Sequence, residues 1–350
     1  MKLHLIYQAL RCLMHPVCLV LKREQTILFI VLLTSVCQIA HAKPPEWTLM
    51  IQQEGYIMDM QWYQDQLLVA TQYRLVSISP SGQIDTLFDR GQTIAQIAVS
   101  GDAIMVLSVF MPQRRGYALK LTGSSNRISS RARVRTGEGY IRAFLSEDGY
   151  DFQSYQLPFM PQQVVATHSG FWLWGDTDKV SYVPRNINKA QLRYDIHLPV
   201  GKQITRLATD GNQVYLATTA GIYQQQDIGW QCISDRPADY LWAKDGRLFA
   251  SAQMQPKLYR ADDSGNFVPT GLGLPHHTTK FTDREVITDQ AFIQISSDHL
   301  KYVFHDETKR RQLWTVPQPE EDWFMCFLAG EDYILAGTYR GKIYQLNVNL

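Results

Sequence analysis

The residues Val214–Tyr223, "VYLATTAGIY", are restated near the C-terminus as Tyr333–Tyr344, "YILAGTYRGKIY". Five more stretches follow the same plan, at Leu67–Thr71, Ile104–Ser108, Phe171–Gly175, Arg247–Ser251 and Phe292–Ser296. Their fourth residues stand at positions 70, 107, 174, 217, 250, 295 and 336, and all but one interval fall near 40 residues. A period of that length marks an array of like units, none of which can bury its apolar surface alone. β-Branched and aromatic residues dominate, and no helical spacing links the apolar positions, which argues against a helical solenoid.

Each phrase is apolar at nearly every position, so a strand made from it needs cover on both faces. A preceding run is joined to it through pairs such as Gly101–Asp102, Asp210–Gly211 and Asp245–Gly246. Glycine supplies the positive φ that such tight hairpins require. Small antiparallel sheets stacked in a circle meet both demands. Seven repeats therefore predict an all-β, seven-bladed β-propeller of four-stranded blades. Trp230 and Trp314 stand near the start of the last strand of their units, and Glu46–Gly55 looks like that same strand. The final unit ends without one, so the N-terminal strand is expected to complete the last blade. Cys232 is then placed on an outer strand and Cys326 on an inner one, too far apart for a disulfide. Both are expected as buried free thiols.

Residues 1–42 read as a signal peptide. Lys22 and Arg23 precede the apolar run Thr26–Val36, and Ala40 and Ala42 hold the small-residue positions of a cleavage site. The run is shorter than the roughly 18 residues that favour a membrane span; an uncleaved anchor is the alternative. Residues 43–350 form the expected propeller domain, exported to a periplasmic or secreted location. The leader sets four basic residues against Glu24, a net +3, which takes the chain's +1 to −2 over residues 43–350. So neutral a surface exerts no global pull on nucleic acid or on a lipid surface.

The segment "SEDGYDF" resembles the Asp-box of sialidase-like secreted propellers, with Ser146, Asp148, Gly149 and Phe152 matching. That resemblance implies a turn between third and fourth strands with the aromatic packed beneath it, a structural rather than a catalytic role. "ATTAGIYQQQDIGW" (Ala217–Trp230) is similar to the repeat of regulator-type sensory propellers. The sialidases' Arg-Ile-Pro signature is absent, so their arginine triad is not carried over, and no Trp-Asp dipeptide ends a unit.

Little in the chain spells out chemistry. His276–His277 is the one adjacent histidine pair. Neighbours on a strand point to opposite faces, so no metal site and no cofactor are expected. There is no Gly-x-Ser-x-Gly elbow. Asp210, Asp245, Asp262, Asp263, Asp289, Glu331 and Asp332 sit in turn-like stretches, where carboxylates order the backbone. Only their convergence at a channel mouth would make a glycan hydrolase or lyase.

The least generic stretch is Met111–Gly139. It carries Arg114, Arg115, Lys120, Arg127, Arg131, Arg133 and Arg135 against Glu138 alone. On a strand Arg131, Arg133 and Arg135 would share one face and could grip carboxylates or phosphates in pairs. Trp172, Trp174, Tyr223 and Tyr344 are expected to pack between sheets, with an exposed sugar-stacking platform as the alternative. The functional expectation is a non-catalytic exported module, monomeric, that binds a protein or cell-envelope component; an acidic glycan is also compatible. A glycan-acting enzyme and a carbohydrate-binding propeller are the alternatives.

Overall fold

The computed structural model describes residues 46–110, 140–155, 159–175, 179–185, 193–197, 203–227, 229–244, 246–252, 255–262, 264–273, 285–287, 291–295, 299–304, 312–315, 322–330 and 332–347. Every regular element among them is a β-strand, and all ladders are antiparallel in four-stranded sheets. The strand β1 (Trp47–Gln52) comes first and is set aside until the ring closes.

Blade one takes β2 (Ile57–Tyr63), β3 (Gln66–Thr71), β4 (Arg74–Ile78) and β5 (Ile84–Asp89). Blade two takes β6 (Thr93–Ser100), β7 (Ala103–Phe110), β8 (Tyr140–Ser146) and β9 (Gln153–Tyr155). In blade three the strands are β10 (Pro161–Thr167), β11 (Gly170–Gly175), β12 (Lys179–Pro184) and β13 (Arg193–His197). Blade four holds β14 (Ile204–Thr209), β15 (Val214–Thr218), β16 (Gly221–Gln225) and β17 (Trp230–Ser234). Blade five holds β18 (Tyr240–Lys244), β19 (Arg247–Ala252), β20 (Gln255–Ala261) and β21 (Phe267–Gly273). Blade six is β22 (Glu285–Ile287), β23 (Ala291–Ile295), β24 (His299–Phe304) and β25 (Gln312–Thr315).

The expectation of a seven-bladed propeller is corrected by this topology to six blades and a closing sheet. Six blades are each cut from one continuous run of four strands. The remaining sheet is a composite of the two ends of the described chain, ordered β26 (Phe324–Ala329), β27 (Tyr333–Thr338), β28 (Lys342–Asn347), β1. In its seam Trp47 lies opposite Leu346 and Leu49 opposite Tyr344. The register then slips at a bulge and resumes with Ile51 opposite Ile343. The Gln53 amide extends the seam by donating to the Gly341 carbonyl at 2.7 Å. Trp47 packs its ring on Phe324, with centroids 4.8 Å apart. The first strands touch in the order β2, β6, β10, β14, β18, β22, β26, and β26 returns to β2. The circle is closed by the composite sheet.

The recurring phrase is the second strand of each sheet, and its two-faced apolarity is explained by the packing. In β3, Leu68 and Ala70 join Phe88 and blade two's Ile97, Ile104 and Phe144. Leu67 and Val69 of the same strand face the other way, onto Leu335 and Ile343 of the closing sheet. The pattern repeats on β7, where Met105 and Leu107 pack with Phe171 and Leu173 of blade three. Burying each such side chain stabilises by about 1.5–3 kcal/mol. The core is thus a set of layers between sheets rather than a single centre.

The end of the phrase is equally well determined. Thr218 is fully buried; its Oγ1 donates to the Gly221 carbonyl at 2.8 Å and accepts the Ala220 amide at 3.1 Å. Thr71 and Thr338 serve the equivalent turns, accepting the amides of Arg74 and Lys342. Gly221 has φ of 151°, and a Cβ there would lie 2.5 Å from the Ser234 carbonyl on the neighbouring strand. Ala-Thr-x-x-Gly is therefore a buried turn cap followed by a position with no room for a side chain.

Because the strands alternate in direction, the connections fall into two groups. First-to-second and third-to-fourth turns lie at one end of each sheet, called here the turn end. Second-to-third and blade-to-blade connections lie at the other, the loop end. No helix among the described residues is long and apolar enough to cross a membrane.

Candidate functional site

Of the carboxylates singled out by their turn-like settings, Asp210, Asp262 and Asp332 lie at the turn end. Asp210 Oδ1 accepts the amides of Asn212 and Gln213 at 3.0 and 2.8 Å. Asp262 does the same for Ser264 and Asn266. Each carboxylate orders its own hairpin, on a different blade, and Asp332 is exposed on another. Asp245, Asp263, Asp289 and Glu331 lie outside the described residues, as do His276 and His277. Among the described residues no cluster of metal-ligating side chains forms.

The Ser146–Phe152 turn joins β8 to β9 at the same end. Asp148 Oδ1 accepts from the amides of Asp151 and Tyr150 and from Ser146 Oγ, at 3.0, 2.9 and 2.9 Å. These donors favour the ionised form and hold its carboxyl down at about 2. Gly149 adopts φ of 83°, where a Cβ would meet the Tyr63 hydroxyl at 2.8 Å. Phe152 is buried edge-on to Phe88 with centroids 5.3 Å apart. The Arg90 guanidinium donates to the Phe152 carbonyl at 2.8 Å and lies over the Phe144 ring.

The aromatic residues selected from the sequence are core. Trp172, Trp174 and Tyr223 share the layer between blades three and four, and Tyr344 packs with Phe324 in the closing sheet. Cys326 is buried, and burial together with the nearby Asp59 carboxylate pushes its thiol well up. Cys232 corrects an expectation: it is exposed, because β17 is the outermost strand of blade four and its face has no neighbouring sheet to cover it. It lines an open groove of about 450 Å³ with Asp235, Arg236 and Asn266.

Two features were not singled out from the sequence. The first is a set of side chains on the inner strands, each just after a bulge, that stitch one blade to the next. Asp59 Oδ2 accepts the Ile97 amide at 2.9 Å. Gln96 both donates to the Val164 carbonyl and accepts its amide, at 2.7 and 3.0 Å. Gln163 repeats this with Leu207, at 2.9 Å in each direction. Arg206, next in the series, carries its guanidinium over the Trp242 ring of blade five at 6.0 Å. Cys326 Sγ donates to the Ile57 carbonyl across the closing junction. Asp59, Gln96, Gln163 and Cys326 thus bond to the backbone of the adjoining sheet and tie the inner ring together.

The second feature is a row of aromatic rings at the loop end, across the junction of blade one and the closing sheet. Tyr56, from the β1–β2 connection, stacks on Tyr339, from the β27–β28 turn, with centroids 4.1 Å apart and planes at 18°. Their hydroxyls meet at 2.9 Å. Trp323, just before β26, stands 6.2 Å from the Tyr339 centroid and is 73% exposed. Tyr73, from the β3–β4 turn, is 48% exposed, accepts the Gln72 amide at 2.8 Å and lies near enough to Tyr56 to raise its pKa. The hydrogen bond with Tyr339 is the larger cause of that rise, so Tyr56 stays protonated.

The row is held from below. Asp322, buried, accepts the amides of Trp323 and Arg340 at 3.0 and 3.2 Å, and the Tyr339 amide donates to the Trp323 carbonyl at 2.8 Å. The Gln72 carbonyl is bound by the Ile94 amide of blade two. Blade two is also where the arginine-rich stretch enters and leaves. Phe110 and Tyr140 are paired at its root, at the loop end. Arg114, Arg115, Arg127, Arg131, Arg133 and Arg135 themselves lie outside the described residues, as do Ala40 and Ala42 of the leader.

No protein-family model and no curated protein matches the chain. Solved structures do. Virginiamycin B lyase from Staphylococcus aureus matches with 11% identity over 87% of this chain and 100% of that one, with a TM-score of 0.60. YCF48 bound to D1 peptide matches with 11% identity over 89% and 97%, with a TM-score of 0.55. The extracellular domain of the putative one component system BT4673 from B. thetaiotaomicron matches with 11% identity over 86% and 40%, with a TM-score of 0.51. One neighbour is a lyase, one is bound to a peptide and one is an extracellular domain. At such identities the likeness is one of fold alone: this chain folds as a β-propeller.

Proposed function

We propose that this protein is an exported, non-catalytic β-propeller that binds a protein or cell-envelope component through its loop end. The observation that carries the reading is the aromatic row of exposed Tyr73, Tyr339 and Trp323 and half-buried Tyr56, built from four separate turns, with Asp322 tying the turns of Trp323 and Tyr339 together. Large rings left open to water on a rigid support are the usual anchors of a binding surface. A peptide-bound neighbour and an extracellular-domain neighbour of the same fold support the same reading. The arginine-rich stretch is rooted at this end, so Arg114, Arg115, Arg127, Arg131, Arg133 and Arg135 are assigned to the same face as its anion-gripping part. Ser146, Asp148, Gly149 and Phe152 are assigned the structural role of an Asp-box at the opposite end. Export rests on the leader, with cleavage after Ala42.

The test is capture of a discrete component from envelope extracts by the tagged full chain. Replacing Arg131, Arg133 and Arg135 with alanine is expected to reduce recovery at least tenfold without changing Tm. Undiminished recovery removes the arginines from the binding face.

A further inference from the structure

We propose that the outer groove between blades four and five binds the carboxylate of a small ligand that carries no second negative charge. The groove is the one lined by Cys232, Asp235, Arg236 and Asn266, and at about 450 Å³ it has the size of a small-molecule site. It lies on outer strands, apart from the aromatic row, and stands or falls separately from it.

Arg236 is the cation of this groove and is half-buried. Its guanidinium carbon sits 3.9 Å from the centroid of the Tyr259 ring, which is itself packed in the layer between the two blades. The ring covers one face of the guanidinium and leaves the N–H groups in its plane available. Among the described residues no carboxylate lies within ion-pair distance of Arg236, and no acceptor takes its side-chain N–H groups. A planar fork laid on an aromatic ring and left without a counter-ion suits the two oxygens of a carboxylate.

Both walls are fixed by the protein itself. After β17 the Arg236 amide donates to Ser234 Oγ at 3.2 Å, the Ala238 amide to the Thr218 carbonyl at 3.1 Å and the Asp239 amide to the Ser251 carbonyl at 2.9 Å. The Ala238 carbonyl in turn accepts Thr205 Oγ1. On the facing wall the Asp262 carboxylate holds the Asn266 amide at 2.8 Å and sets that residue on the rim, with its side-chain amide as a second donor. Gly265 beside it has φ of 81°, and a Cβ there would meet nothing within 4 Å, so the wall is open at that point. A site ordered in advance loses little freedom on binding.

Asp235 limits what the groove accepts. It is exposed and lines the same groove beside Arg236. One guanidinium next to one carboxylate accommodates a single added negative charge. A phosphate or a dicarboxylate brings more, and Asp235 repels the excess.

The experiment uses the full chain and takes the exposed Cys232 thiol, which shares the groove, as the reporter. Its alkylation by N-ethylmaleimide is followed by mass in benzoate, phenylacetate, phthalate, inorganic phosphate or chloride at matched ionic strength. At least one of the two monocarboxylates is expected to slow alkylation in a saturable way, while phthalate, phosphate and chloride do not. Arg236→Gln should weaken that protection by about tenfold or more, equivalent to about 1.4 kcal/mol. Arg236→Lys keeps the charge without the fork and should fall between. Asp235→Asn should admit phthalate and phosphate. Tm measured on each variant separates binding from folding. The proposal is overturned if neither monocarboxylate protects Cys232, if folded Arg236→Gln is protected like the wild type, or if phthalate and phosphate protect the wild type equally well.

Discussion

The two ends of this ring are made by the same repeating chain and hold themselves together differently. At the turn end, short hairpins are tied by their own side chains. Asp148, Asp210 and Asp262 each collect two or more amides from the next few residues, and Phe152 reaches down into the layer between blades. At the loop end, Thr71, Thr218 and Thr338 cap their own turns, and further ties run between more distant parts of the chain, as in Ile94 to Gln72, Tyr339 to Trp323 and Tyr56 to Tyr339. A self-contained turn leaves nothing over for a partner. A junction assembled from several turns can expose rings while its backbone is satisfied from behind. On the proposed reading, recognition falls to the loop end.

Phe152→Ala should break this contrast most visibly in stability. It opens a cavity between blades one and two, and the expected loss is about 3–5 kcal/mol, read from urea unfolding. A loss below about 1 kcal/mol would mean that the turn end is not anchored in the core.

Asp148→Asn probes the same end through pH. The folded carboxyl sits at about 2, below the roughly 3.9 of an unfolded aspartate. Its contribution is therefore fully present above about pH 4 and fades as pH falls toward 2. The stability gap between the wild type and Asp148→Asn should be constant near neutrality and close in that acid window. A gap independent of pH contradicts the hydrogen-bonding account.

Thiol labelling sharpens the contrast between an outer strand and the ring's interior. Cys232 should react in the folded protein, while Cys326, buried and with its thiol pushed up, should react only on unfolding. Equal rates would mean that the closing junction opens readily.

The fold was legible where one residue type answers to one local demand. The apolar phrase, the buried threonine and the glycine after it recur because each second strand is covered twice and turns in the same way. Trp47 at the head of an otherwise ordinary strand was enough to expect the closing seam. The blade-to-blade stitch was not legible, because Asp59, Gln96 and Gln163 sit where strand alternation already allows a polar residue, and nothing local reveals the bulge that turns them inward. The aromatic row escaped for a different reason. Residues 56, 73, 323 and 339 lie in polar turns far apart in the chain, and only closure of the circle makes them neighbours. Tryptophans with strong local signals, such as Trp172 and Trp174, drew attention because they are core.

The division of labour between the two ends is tested most directly by Trp323→Ala in the full chain, with unfolding free energy and capture of the envelope component measured on the same preparation. Trp323 is mostly exposed, so stability should move by no more than about 0.5 kcal/mol while capture falls at least tenfold. Unchanged capture with intact folding would contradict the account, because the loop end would then carry exposed rings that bind nothing.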